Sequence, residues 1–123
     1  MNVTDKIAVV TGGACSIGRA IATMLARQGA HVVVGDIVDS FFEDIKKEIQ
    51  QYERQSMTIY LDVTDNNAID TMVEGVMKRF GRIDILVNNA GVVAASGWTD
   101  REDTTEEDWD ITYNVNVKGV ANV

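Results

Sequence analysis

The 123 residues hold one cysteine, one histidine and no apolar run near the roughly 18 residues that a membrane-crossing helix needs. A single cysteine forms no internal disulfide, which fits a reducing compartment, and without a Cys/His cluster nothing is placed to hold a structural zinc. Metal binding is therefore not expected. The opening segment from Met1 to Lys6 lacks the apolar centre of a signal peptide, so the chain reads as cytoplasmic. There is no basic patch either. Without one, the sequence lacks the electrostatic footprint for nucleic-acid phosphates or an anionic membrane.

What is present is the balance of one soluble globular domain, 46% hydrophobic and 24% charged, with ten glycines and a net charge of -8. Such a chain buries roughly two thirds of its unfolded surface. The acidity is concentrated. Seven acids between Asp100 and Asp110 against Arg101 alone account for -6, and the remainder is nearly balanced, with 12 acids and 10 bases. The run reads as a solvated loop and a helix start. Thr105 with Asp108, or Thr104 with Glu107, has capping-box spacing, and acids in a first turn complement the helix dipole.

The apolar pattern alternates between two periods. Ile7-Ala8-Val9-Val10 is a continuous apolar run, as expected of a strand buried on both faces, and it ends at Thr11-Gly12-Gly13. From Ile17 the positions Ala20, Ile21, Met24 and Leu25 recur near 3.6 residues until Gly29. Val32-Val33-Val34 then leads to Gly35-Asp36, and a second helix carries Phe42, Ile45, Ile49 and Tyr52 on one stripe. A third strand over Met57–Leu61 precedes Asp62-Val63, a third helix runs from Ile69 through Phe80 to Gly81, and a fourth strand covers Ile83–Val87. After a loop over 92–103, a last helix is expected to show Trp109, Tyr113, Asn116 and Val120 on one side.

Strands alternating with helices of this length define an α/β fold, a Rossmann-like doubly wound parallel sheet with right-handed crossovers. Ligands bind beyond the carboxyl ends of such strands, and the informative polar clusters fall there: Thr11 to Gly18, Asp36, Asp62 and Asn88 to Gly91. Small residues between Gly12 and Gly18 let backbone approach a pyrophosphate, which the free N–H groups of a helix start favour. No Gly-Lys-Ser/Thr follows, so the turn is not a P-loop. Asp36 lies 18 residues beyond Gly18, where a carboxylate accepts both hydroxyls of an adenosine ribose. It would repel a 2′-phosphate by up to about 4 kcal/mol at 4 Å and an effective dielectric near 20, before screening. Ile37 follows it, and no Arg or Lys lies between Gly12 and Ile17, so NAD is expected over NADP.

At this point the sequence resembles the short-chain dehydrogenase/reductase family, in its subgroup with a TGxxxGxG turn. Thr11-Gly12 and Ile17-Gly18 match that turn, Asp62-Val63 the acid-apolar pair that holds adenine, and Asn88-Asn89-Ala90-Gly91 the NNAG after the fourth strand. The resemblance covers essentially the whole chain, making residues 1–123 an NAD(P)-binding Rossmann-fold domain. It implies Gly12, Cys15, Ser16, Ile17 and Gly18 near the pyrophosphate, Asp36 and Ile37 at the ribose, and Asp62 and Val63 at adenine. Asn89, Ala90 and Gly91 would lie beside the sugars, and Asn116 would be the catalytic asparagine that holds a water in a proton relay. Ser16 departs from the pattern, standing where the family has its second glycine. If that position needs positive φ, the cost is roughly 1–2 kcal/mol, which a hydroxyl donating to phosphate would offset. Cys15 reads as a small space-filler and His31 as structural.

The resemblance also implies a catalytic Ser, Tyr and Lys that all follow the asparagine helix, and no Tyr-x-x-x-Lys occurs here. Tyr113 and Lys118 are five apart, which in an α-helix sets them on different sides. The expectation is thus the NAD-binding part of an alcohol or carbonyl oxidoreductase, strand order 3-2-1-4, stopping before strand five and inactive alone. Its fourth strand would be an open edge, and the helix beginning near Thr105, a common dimer contact in the family, points to a homo-oligomer. The alternatives are a non-catalytic nucleotide-binding or assembly module of the same fold, and a methyltransferase.

Overall fold

A computed structural model of the chain describes residues 2–92 and 103–123. The elements alternate as β1 (Ile7–Thr11), α1 (Ser16–Arg27), β2 (His31–Asp36), α2 (Phe42–Gln50), β3 (Ser56–Tyr60), α3 (Asn66–Phe80) and β4 (Ile85–Asn88). Beyond them lie α4 (Glu106–Tyr113), a π-helical turn over Asn114–Lys118 and the short α5 (Gly119–Asn122). The strands form one parallel sheet ordered β3-β2-β1-β4, as the alternation implies. The register sets Thr11 opposite both Gly35 and Asn88, so the carboxyl ends of three strands align. Among the described residues no helix is long and apolar enough to cross a membrane.

Side chains of successive strand residues point to opposite faces, and each face has its own helical cover. Ala8, Val10, Val32 and Val34 pack with Ala22 and Ala26 of α1 and with Ile45 and Ile49 of α2. On the other face Ile7, Val9 and Val33 meet Ile69, Met72 and Val76 of α3. This two-sided cover is why β1 and β2 read as unbroken apolar runs rather than alternating ones. β4 differs: its residues alternate between half-buried and exposed, with Leu86 42% exposed at the sheet edge.

The helix ends follow their sequence signals. Asp65 caps α3 by accepting from Asn67 N and Ala68 N, and Gly81 closes it at φ 78°. Thr105 and Asp108 form the capping box of α4, which selects one of the two spacings and gives Asp108, buried at 3% exposure, its structural role. Asp100 and Glu102 of the acidic run, with most of the 92–103 loop, lie outside the described residues. α2 ends at Gln50, so Tyr52 falls off the expected stripe and is exposed. β4 starts at Ile85, later than expected: Asp84 donates its backbone N–H to Ile7 O at 2.9 Å, but it is its Oδ2 that accepts from Ile7 N at 2.8 Å. The Ile7 N–H, helped by Arg82, holds the Asp84 carboxyl below the usual range.

The last helix departs from expectation. The stripe through Trp109, Tyr113, Asn116 and Val120 does not form a buried face, and the π-helical turn after Tyr113 breaks the α-helical spacing of its last two members. Trp109 and Tyr113 are exposed, and the buried positions are Asp108 and Gly119. The same turn overturns the spacing argument for Tyr113 and Lys118. With i→i+5 geometry the two meet, and the Lys118 ammonium lies 5.6 Å from the Tyr113 ring centroid. The contact is with the ring face, a cation–π pair.

Ile45 and Met72 fill opposite faces of the sheet and are each less than 2% exposed. Ile45→Ala and Met72→Ala should each destabilise by about 2–5 kcal/mol, with nearly additive effects because they share no cavity. Urea denaturation of both single variants and the double variant checks this. Between α1 and α2, Arg19 bonds Glu48, which also accepts from Thr23 Oγ1 at 3.0 Å. Arg19 lowers the Glu48 pKa from its ordinary 4.5 against the opposing effect of burial. A lowered folded value stabilises above pH 4.5 and ceases to do so as pH falls through it. Glu48→Gln should therefore be less stable than the parent at pH 7 and approach it as pH falls below 4.5 through the lowered folded value, read from thermal melts across acid pH.

Candidate functional site

The site is built where the turn after β1 meets the loop after β4. Thr11, 1% exposed, accepts from both Asn89 N and Ala90 N at 3.1 Å through its Oγ1. Asn89 returns the contact, donating from Nδ2 to Gly12 O at 2.9 Å. The backbones are so close that a Cβ on Gly12 (φ +65°) would stand 2.9 Å from Ala90 Cα. One on Gly18 would stand 2.0 Å from Gly12 O, which no side chain tolerates. These two glycines are required by space, and Gly12 also by its left-handed backbone.

Asp36 closes the third side. It is 7% exposed, and its two oxygens are held separately: Oδ2 accepts from Ala14 N inside the glycine turn and Oδ1 from Val38 N, both at 3.0 Å. After β3, Asp62 Oδ1 accepts from Thr64 N at 2.9 Å and Thr64 Oγ1 at 2.6 Å. Its Oδ2 takes no donor among the described residues. The cleft enclosed by these strand ends measures about 990 Å³, enough for a dinucleotide-sized ligand.

All twelve residues expected to bind cofactor, from Gly12 and Cys15 through Asp36 and Asp62 to Gly91, line this cleft. Ser16 has φ +52°, so the serine that stands in the glycine position adopts the conformation glycine favours. It is the first residue of α1. That helix has neither a side-chain cap, Cys15 making none, nor an acid in its first turn. Its N-terminal N–H groups and dipole thus present positive potential to the cleft, the arrangement that takes a phosphate. Ile17 is 72% exposed at the mouth.

Asn116 stands beside Gly91 and Val92 of the cleft wall, and its amide bonds the β4 loop, Oδ1 accepting from Val92 N at 2.8 Å and Nδ2 donating to Val92 O at 2.6 Å. His31 is at the opposite end of β2, accepting from Gln55 N at 2.9 Å through Nδ1 and stacking on Phe80. Burial, reinforced by Arg54 and opposed by Asp5, lowers its pKa, which agrees with a structural residue. Sequence reasoning missed Lys118, Asn114 and Asn122, which line the cleft from the π-helical turn and the helix after it. It also missed the role of Thr64, for which the Asp-x-Thr spacing was a usable turn signal.

A parallel 3-2-1-4 sheet with a glycine cradle, an open helix start and an acid after the second strand is the nucleotide-binding geometry of a dehydrogenase fold. Residues 6–123 match the family model for short chain dehydrogenases, and the chain belongs to that family. It is 39% identical over its whole length to the 3-oxoacyl-[acyl-carrier-protein] reductase FabG of Thermotoga maritima, of which it covers 49%. It is 40% identical over 119 residues to the NAD-dependent glycerol dehydrogenase of Listeria innocua, covering 96% of this chain and 44% of that one. Among solved structures, NAD+-bound xylitol dehydrogenase superposes with a TM-score of 0.89 at 28% identity, over 100% of this chain and 46% of the other. The chain therefore spans about half the length of the relatives it matches. The methyltransferase alternative falls with this family membership.

Two substitutions separate packing from strain. Thr11→Val keeps the volume but leaves Ala90 N without its acceptor, while Asn89 N keeps Val87 O at 3.1 Å, an expected cost of about 1–3 kcal/mol. Ser16→Gly removes a side chain from a left-handed residue and should gain about 1 kcal/mol. Opposite shifts in chemical-denaturation midpoint are the expected result, and a Ser16→Gly midpoint below the parent's would refute the strain.

Proposed function

We propose that residues 1–123 form the NAD-binding part of an oxidoreductase acting on a small alcohol or carbonyl compound. The observation that carries this reading is Asp36. A nearly buried carboxylate, fixed by two backbone N–H groups beside the glycine turn, suits ribose hydroxyls and opposes a 2′-phosphate. Among the described residues the cleft lining includes one cation, Lys118, against the acids Asp36 and Asp62. The residues fit NAD: Gly12 and Gly18 leave room for backbone approach, the α1 start with Ser16 takes pyrophosphate, and Asp62 and Val63 take adenine.

NAD, when bound, supplies the hydride chemistry. The chain's own residues bind and orient it, and Asn116 holds the β4 loop at Val92. The proton relay of Ser and Tyr-x-x-x-Lys is absent from these residues, so we assign them nucleotide binding rather than turnover. The exposed Trp109 and the β4 edge favour a homo-oligomer, the composition a cytoplasmic setting, and nothing basic invites nucleic acid.

Calorimetric titration tests the cofactor. NAD should bind at least tenfold tighter than NADP, and Asp36→Ala should weaken NAD about tenfold while narrowing or reversing that preference. Equal affinity of the parent for NAD and NADP would sink the assignment.

A further inference from the structure

Two loops border the cleft beyond the glycine turn, one after β3 and one after β4, and a single helical segment grips both. Asn116 holds the β4 loop through both backbone groups of Val92. One turn and a half later, Asn122 Nδ2 donates to Val63 O at 3.2 Å. Between them Gly119 is buried against Val63, so close that a Cβ would come within 2.5 Å of Val63 Cγ2. Val63 itself is only 5% exposed.

The grip depends on the π-helical turn. Its i→i+5 geometry accommodates one extra residue, rotating everything after Lys118 by about 100° relative to an uninterrupted α-helix. Without it, Gly119 and Asn122 would face away from the β3 loop. That loop orders Asp62 through Thr64, and Asp62 Oδ1 holds the N–H end of the Val63–Thr64 peptide at 2.9 Å. Asn122 holds the carbonyl end of the same peptide, and Gly119 sets how near the helix stands.

We propose that Asn122 and Gly119 are positioning residues that fix the Val63 peptide and thereby set how sharply the cleft recognises the adenine edge. This rests on the reading of the cleft as an NAD site with Asp62 and Val63 at the base. Neither residue is assigned contact with the base. Both act through Val63.

The test compares NAD with nicotinamide hypoxanthine dinucleotide, which replaces the adenine amino donor with an acceptor and N1 with a donor. A well-held adenine wall distinguishes the two; a loosened one does so less. In the full-length protein, Asn122→Ala should weaken NAD three- to tenfold, the loss of about one hydrogen bond, and alter hypoxanthine-analogue affinity less than twofold. Gly119→Ala should compress the NAD preference in the same way. Asn122→Asp keeps the size and removes the donor, carrying the same comparison if Asn122→Ala yields no folded protein. Equal weakening of both dinucleotides would mean a general loosening and overturn the proposal, as would no change in either. Failure of the parent to bind NAD would instead remove the reading of the cleft, and this proposal with it.

Discussion

The close approach between the turn after β1 and the loop after β4 governs what is built at the carboxyl end of the sheet. Thr11 bonds two successive N–H groups across that gap, Asn89 bonds back to Gly12, and Gly12 and Gly18 contribute the missing side-chain volume that permits contact. The interaction is mutual: each loop uses the other's backbone to satisfy buried polar groups that water cannot reach. Strand pairing brings the partners into register, since Thr11 pairs with Asn88 in the ladder. Asp36 extends the same scheme to β2 by accepting from Ala14 within the turn. Three strand ends thus become one rigid rim.

Polar completion is uneven around that rim, and the unevenness has chemical meaning. α3 and α4 have their first turns closed by Asp65 and by the Thr105–Asp108 box. α1 has neither a cap nor an acidic first turn, and it starts from a serine in a left-handed conformation. An uncapped helix start costs stability unless something else accepts its N–H groups. Its place at a cleft of about 990 Å³ makes an anionic ligand the natural completion. Strain at Ser16 and an open helix end are therefore two expressions of one arrangement, stability given up where a ligand is to be held.

Much of this was legible in the sequence because it depends on local period and on position relative to strand ends. Val9, Val33, Ile45 and Met72 betray their burial by spacing, and Asp36 and Asn89 by where their strands stop. Asn116, Lys118 and Asn122 were not legible in the same way. Their directions depend on the π-helical turn, which has no Pro or Gly within Asn114–Lys118 to mark it. An α-helical count misplaces every side chain after it, as the Tyr113–Lys118 contact shows. β4 was mis-started for a different reason. Ile83-Asp84-Ile85 alternates like a strand, but Asp84 takes a β1 N–H with its side chain, a bond that hydrophobic periodicity does not register.

The burial contrast within the sheet carries the last step. β1 and β2 present apolar residues to both faces and are covered on both. β4 presents Ile85-Leu86-Val87, equally apolar, yet none of the three is fully buried. In a parallel sheet such a sequence is matched to cover from both sides and to a neighbour on each edge. A strand pairing with β4 would cover Leu86 and stand beside Asn89 and Gly91 at the cleft, so the open edge and the ligand-sized cleft share one border.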